Sequence, residues 1–302
     1  MKSAFCPTLL SALVLIITAI PAFSADPVKK QILLLAGMPS HGPGAHEHNA
    51  GVLLLKKCLD ESGLPVNTTA HLNAAWPNPD ELAAADTILF YCDGGEGHFL
   101  LKEERITQME KEMKRGAGLV CLHYAVEFPA AKGGPQMLNW LGGFFEANWS
   151  VNPHWTADFK NFPKHPISNG VNPFSSLDEW YFHMRFADAS KGSRTDMLSA
   201  IAPDSTMSRK DGPHEGNPTV RAEVAAKKPQ SVAWAFDRKD GGRGFGFTGG
   251  HFHQGWANED QRKLVLNAIL WTAKAEVPAT GVPSKVNEAD IAANLDPKGK
   301  KK

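Results

Sequence analysis

The chain has 302 residues, with 32 basic and 32 acidic side chains, a formal net charge of zero and 42% apolar residues. A balanced charge offers no electrostatic footprint for nucleic acid, which excludes that class of partner. The length suits one large α/β domain, or such a domain with insertions.

In chain order, Lys2 is followed by the uncharged run "LLSALVLIITAIPAFSA", closed by Pro21 and small residues. This is the pattern of a secretory signal peptide over 1–24, with cleavage after Ser24 or Ala25. The expectation is a secreted or periplasmic protein with no retained membrane anchor, since no second long apolar run follows. Cys58, Cys92 and Cys121 would remain, none in a CxxC pair, so no disulfide scaffold is indicated.

"QILLLAGMP" (31–39) is a continuous apolar run ending in Gly and Pro, which suits a strand buried on both faces. A helix follows over 46–62, with apolar residues at 52, 55 and 59 on one face. "DTILFYCDGG" (86–95) repeats the buried-strand pattern, and 102–118 is a charged amphipathic helix stopped by Gly116. "GLVCLHYA" (118–125) is a third buried strand. The alternation predicts an α/β fold with an open parallel sheet.

Residues 142–230 are rich in prolines, aromatics and short runs, and read as an insertion of strands and loops. Strands over "SVAWAFDRK" and "GRGFGFTGG" and a helix over 258–275, with Asn258 as its N-cap, complete a domain spanning 25–278. Residues 279–302 lack aromatics and end in "DPKGKKK", which predicts a mobile C-terminal tail packed against the body only in places.

All twelve histidines lie between positions 41 and 253, and several follow predicted strands. His41, His46 and His48 follow the first strand, His98 the next apolar strand, His123 ends "GLVCLH", and His251 ends "FGFTGGH". In a parallel sheet these are carboxyl ends on one side, where open α/β folds bind ligands. Of His251 and His253, one is expected to face the site and the other to be structural. "HGPGAHEH" has neither the GxxxxGK[ST] nor the GxGxxG spacing, and HExxH is absent, so nucleotide and helical zinc sites are not indicated. Asp178 and Glu179 are adjacent carboxylates that diverge in a strand, and Trp256 belongs to an aromatic set suited to a sugar ring.

On "SHGPGAHEHNAG", "GAGLVCLH", "HPISNGV", "DEWYFHMRF", "GRGFGFTGGHFHQGW" and "RKLVLNAILW", the chain resembles the trehalose-utilisation (ThuA-like) family of the class I glutamine amidotransferase-like superfamily. The resemblance implies a flavodoxin-like three-layer sandwich, with a mostly parallel central sheet, and a role with carbohydrates. Amidotransferase relatives use a cysteine at a strand-to-helix elbow. Cys121 could be aligned with it, but Leu122 and Tyr124 are too large for an elbow and the relatives' His-Pro-Glu signature is absent, which speaks against that activity.

The expectation is a secreted enzyme of carbohydrate catabolism, for which the resemblance implies a keto-sugar or trehalose-type glycoside as substrate. His123, His251 and Glu179 would be its acid–base groups. His41, His46, His48, His98, Asp178 and Trp256 would bind substrate, and His46, His123 and His251 are candidate ligands for zinc or manganese. The alternatives are a non-catalytic sugar-binding module and a cysteine hydrolase using Cys121.

Overall fold

The computed structural model describes residues 1–4 and 28–298. The apolar run of the expected leader and its cleavage point lie outside the described residues. No helix among the described residues is long and apolar enough to cross a membrane.

The elements are β1 (Lys30–Ala36), α1 (His48–Asp60), β2 (Val66–His71), α2 (Pro79–Ala84), β3 (Thr87–Tyr91), α3 (Arg105–Lys114) and β4 (Gly118–Leu122). There follow α4 (Gly134–Trp140), β5 (Gly143–Phe144), β6 (Trp155–Phe159), β7 (Phe174–Asp178), β8 (Arg185–Phe186), β9 (Gly192–Ala200) and α5 (Pro218–Ala225). The chain closes with β10 (Gln230–Arg238), β11 (Arg243–Phe247), α6 (Glu259–Thr272) and α7 (Glu288–Ala292).

Seven strands form one sheet in the order β2-β1-β3-β4-β11-β10-β9. The pairs β1–β2, β1–β3, β3–β4 and β4–β11 are parallel, while β10 runs antiparallel to both β11 and β9. The first five positions have the flavodoxin-type order, with its reversal between β1 and β3. β1, β3 and β4 are buried on both faces because helices cover both, which is why they read as unbroken apolar runs.

The core is two clusters, one on each face of the sheet. Leu55 and Leu59 of α1 and Leu264 and Leu266 of α6 pack on one face; Leu82 of α2 and Met109 and Met113 of α3 pack on the other. This is a three-layer sandwich. The insertion adds two small antiparallel pairs, β5–β8 and β6–β7.

Register places the strand ends level with one another. Ala36 pairs with Tyr91, Tyr91 with Leu122, and Leu122 with Phe247. The residues that leave the sheet from this line open the loops carrying His46, Asp93, His123 and His251.

The tail, expected to pack against the body only in places, touches it at several points. Val282 is fully buried, Ile291 of α7 is 7% exposed, and Asn287 and Asp290 form a capping box that starts α7. Asp296 and Lys298 hydrogen-bond to the loop that carries His46. Val282 and Ile291 are covered by the body while Leu295 stays 44% exposed, and the last polar groups meet buried partners.

Candidate functional site

His123 is the first residue beyond β4 and opens the 3-10 turn His123–Val126 with φ +55. His46 has φ +48 and His41 φ +61. Left-handed backbone is uncommon for residues with a Cβ and persists where the surroundings impose it, often at functional sites. His251 follows Gly250, whose φ of +101 turns the chain back toward the sheet edge after β11.

These turns bring three ring nitrogens together. His46 Nε2 lies 3.1 Å from His123 Nε2 and 3.1 Å from His251 Nδ1, and the last two are 3.3 Å apart. Glu179 Oε2 completes the group, 3.0 Å from His251 Nδ1 and 3.6 Å from His123 Nε2. All four ligand atoms lie within 4.8 Å of one another. The Tyr181 hydroxyl stands 3.3 Å from both His123 Nε2 and Glu179 Oε2.

The outer atoms of two rings fix their tautomers. His123 Nδ1 faces the Thr248 carbonyl at 2.9 Å, and a carbonyl only accepts, so the proton is on Nδ1. His46 Nδ1 donates in the same way to Asp93 Oδ1 at 2.8 Å. Both Nε2 atoms therefore present bare lone pairs to each other. Burial pushes the His46 ring down to about 4, and burial, with His46 and His251 alongside, takes His123 well below its ordinary value. Protons are thus poor partners for these lone pairs. Burial opposes charge on Asp93 and Glu179, yet hydrogen bonds from His46 and Ser40 to the first, and from His251 to the second, hold both carboxyls below their ordinary values.

The donor set matches a divalent cation. Zinc takes nitrogen ligands at about 2.0–2.1 Å in a tetrahedron, which puts neighbouring nitrogens about 3.3 Å apart. The outer bonds of His46 to Asp93 and His123 to Thr248 are of the kind that orient metal-bound histidines. His41, on the surface, lies tilted against the His46 ring, the centroids 3.6 Å apart. Beside Glu179 a cavity of about 260 Å³ opens, lined by Asn152, His154, Ser205, Ser208 and Arg209 of the insertion. A larger cavity, about 910 Å³, lies between His253 and α7 and touches none of the four ligand residues.

Other residues expected at the site have different places. Asp178 is fully buried and accepts from the N–H groups of Gly250 at 2.7 Å, His251 at 2.9 Å and Glu179 at 2.8 Å. It anchors the His251 turn and touches no open space. His98 is in the core, its Nδ1 accepting from Leu100 N and its Nε2 3.5 Å from Cys92 Sγ. Trp256 is fully buried against Tyr91 and Phe247. Both are claimed by the core because apolar rings surround them. His48 sits one layer behind, its Nδ1 on the Met38 carbonyl and its Nε2 3.8 Å from Asp93. His253 is 2% exposed and away from the cluster, leaving His251 as the histidine that faces the site.

Asp93 and Tyr181 were not singled out from sequence as site residues. Asp93 had a signal, as the carboxylate ending "FYCDGG" at a strand's carboxyl end. Tyr181 had only its membership of the aromatic set that includes Trp256 and its place two residues after Glu179.

The sequence profile of a family described as ThuA, trehalose utilisation, matches residues 35–272. No curated protein matches the chain. Among solved structures, a ThuA-like protein from Bacteroides uniformis is similar over 84% of this chain and 95% of its own, at 16% identity and a TM-score of 0.56. A ThuA-like protein from Parabacteroides merdae covers 86% of this chain and 94% of its own, at 15% identity and a TM-score of 0.53. Both likenesses are of fold.

Proposed function

Since the chain belongs to the ThuA trehalose-utilisation family, we propose that it is an exported enzyme of carbohydrate catabolism working at a divalent-metal site. His46, His123 and His251 hold the metal, zinc before manganese given three imidazoles. The observation that carries this reading is the pair of bare Nε2 lone pairs of His46 and His123 at 3.1 Å, with their protons committed to Asp93 and Thr248. A buried arrangement of that kind is repulsive without a cation between them.

When bound, the metal would polarise a sugar carbonyl or hydroxyl oxygen. Glu179 is the proton-moving group: it is ionised, 12% exposed, and borders the polar cavity. Tyr181 orients it through the 3.3 Å contact of its hydroxyl with Oε2. The cavity is lined by amide, hydroxyl, imidazole and guanidinium groups, which suit a hydroxylated ring, and its size suits one sugar unit rather than a chain.

The cysteine-hydrolase alternative has little to support it. Cys121 is 1% exposed within β4, and burial pushes its thiol far up, so no thiolate forms there.

The test is metal content with turnover of keto-sugars and trehalose-type glycosides. About one equivalent of metal per chain is expected, with activity lost in chelator and in His123→Gln and retained in Cys121→Ala. A metal-free chain would end this reading. A chain that binds metal and sugar but converts no sugar would be the binding module.

A further inference from the structure

We infer that the C-terminal strap positions the metal ligand His46, with Lys298 as the positioning residue; this rests on the divalent-metal reading above. The loop 42–47 is held on one side by the 251–253 segment, His253 N donating to the Gly44 carbonyl at 2.9 Å, and has few bonds of its own. Gly44 and His46 both have positive φ, and Glu47, at the N-cap position of α1, makes no side-chain capping bond to the helix. Its carboxylate turns away, accepting from Gly44 N at 2.8 Å and Asp296 N at 2.9 Å.

Lys298 closes the arrangement from outside. Its ammonium pairs with Glu47 Oε1 at 3.2 Å, with side-chain exposures of only 5% and 1%. It also donates to the carbonyls of Ala45 and of His46, the latter at 3.1 Å. Asn49, in the first turn of α1, donates to Asp296 Oδ1 at 2.7 Å. One cation thus gathers the carbonyls on either side of the His46 N–H, in the stretch where the backbone is strained. That N–H donates to the His251 carbonyl at 3.0 Å, so the same device ties two of the metal-binding loops.

The pair is buried, and breaking one partner of such a pair is costly while replacing both is not. Lys298 touches no ligand atom and no open crevice, so its effect runs through the backbone of His46. Loss of groups that orient metal ligands typically weakens metal affinity by about 10–100-fold.

The experiment titrates Zn²⁺ and Co²⁺ into the metal-free full-length protein, reading Zn²⁺ affinity and the Co²⁺ visible spectrum at a temperature well below unfolding. Lys298→Met is expected to weaken Zn²⁺ by about tenfold or more and to change the Co²⁺ bands. Lys298→Arg should restore part of the loss, and Lys285→Met, an exposed lysine of the same strap, should match the unaltered protein. The double variant Glu47→Gln/Lys298→Met leaves no unpaired charge and remains informative if the single variant unfolds. Unaltered affinity and spectrum in the folded double variant would overturn the inference. Failure of the unaltered protein to bind either metal would instead overturn the metal reading beneath it.

Discussion

Burial holds the His46 ring down to about 4 and the His98 ring down to about 3, both far under the ordinary 6.5. The unfolded chain would protonate these rings as pH falls through 6.5, while the folded chain would not. The unfolded state therefore binds more protons in that window, and stability drains as pH falls. The contribution is intact above about 6.5 and is lost progressively toward about 4 for His46 and about 3 for His98. Asp178 works the other way: burial raises it to about 6 against its backbone donors, so its contribution is present at low pH and lost as pH rises through that value. These two histidines, joined by His48, His123 and His253 lowered by the same cause, outnumber one carboxyl. The melting temperature of the metal-free protein is expected to fall steeply between about pH 6.5 and pH 4. A flat melting curve across that range would show that the rings are charged in the folded state.

At the scale of elements, what holds the site is close approach between loops. A Cβ added at Gly94, just after β3, would meet the Tyr124 carbonyl oxygen at 2.1 Å and Glu127 Cβ at 2.9 Å. Gly94→Ala must therefore displace the turn that begins at His123, at a cost of about 1–3 kcal/mol. Chemical denaturation should show that loss, and zinc affinity should fall with it, because His123 rides on the same turn. Full stability with full affinity would mean that the turn gives way without moving its first residue. The parallel strands were legible in the sequence because burial on both faces leaves continuous apolar runs. Strand β2 was not, because "VNTTAH" sits at the sheet edge, where only Val66 is buried. The histidines were legible by their place after strands. The buried anchoring place of Asp178 was not, since it is set by the N–H groups of Gly250 and His251, more than seventy residues away. The strap was illegible for the same reason: Lys298 looks like a solvated terminal lysine until its partner Glu47 is placed beside it.

For the whole molecule, the four residues of the candidate site are contributed by segments that meet only when the sheet and its insertion are both in place. His46 comes from the loop after β1, His123 from the end of β4, Glu179 from the insertion after β7, and His251 from the turn after β11. The unfolded chain has no such set, so a metal held as proposed would bind the folded state far better and would stabilise it by mass action. At a free zinc concentration one hundred times the dissociation constant, the gain is about 2.7 kcal/mol. For a domain of this size each kcal/mol moves the melting temperature by about 2–4 °C, so zinc is expected to raise it by about 5–10 °C. Chelator should reverse the rise. His123→Gln should abolish it while leaving the chain folded, because the amide keeps a polar group near Thr248 but offers no imidazole nitrogen. The same rise in His123→Gln as in the unaltered protein would place the metal elsewhere on the surface, and the four side chains would then be a hydrogen-bonded cluster and nothing more.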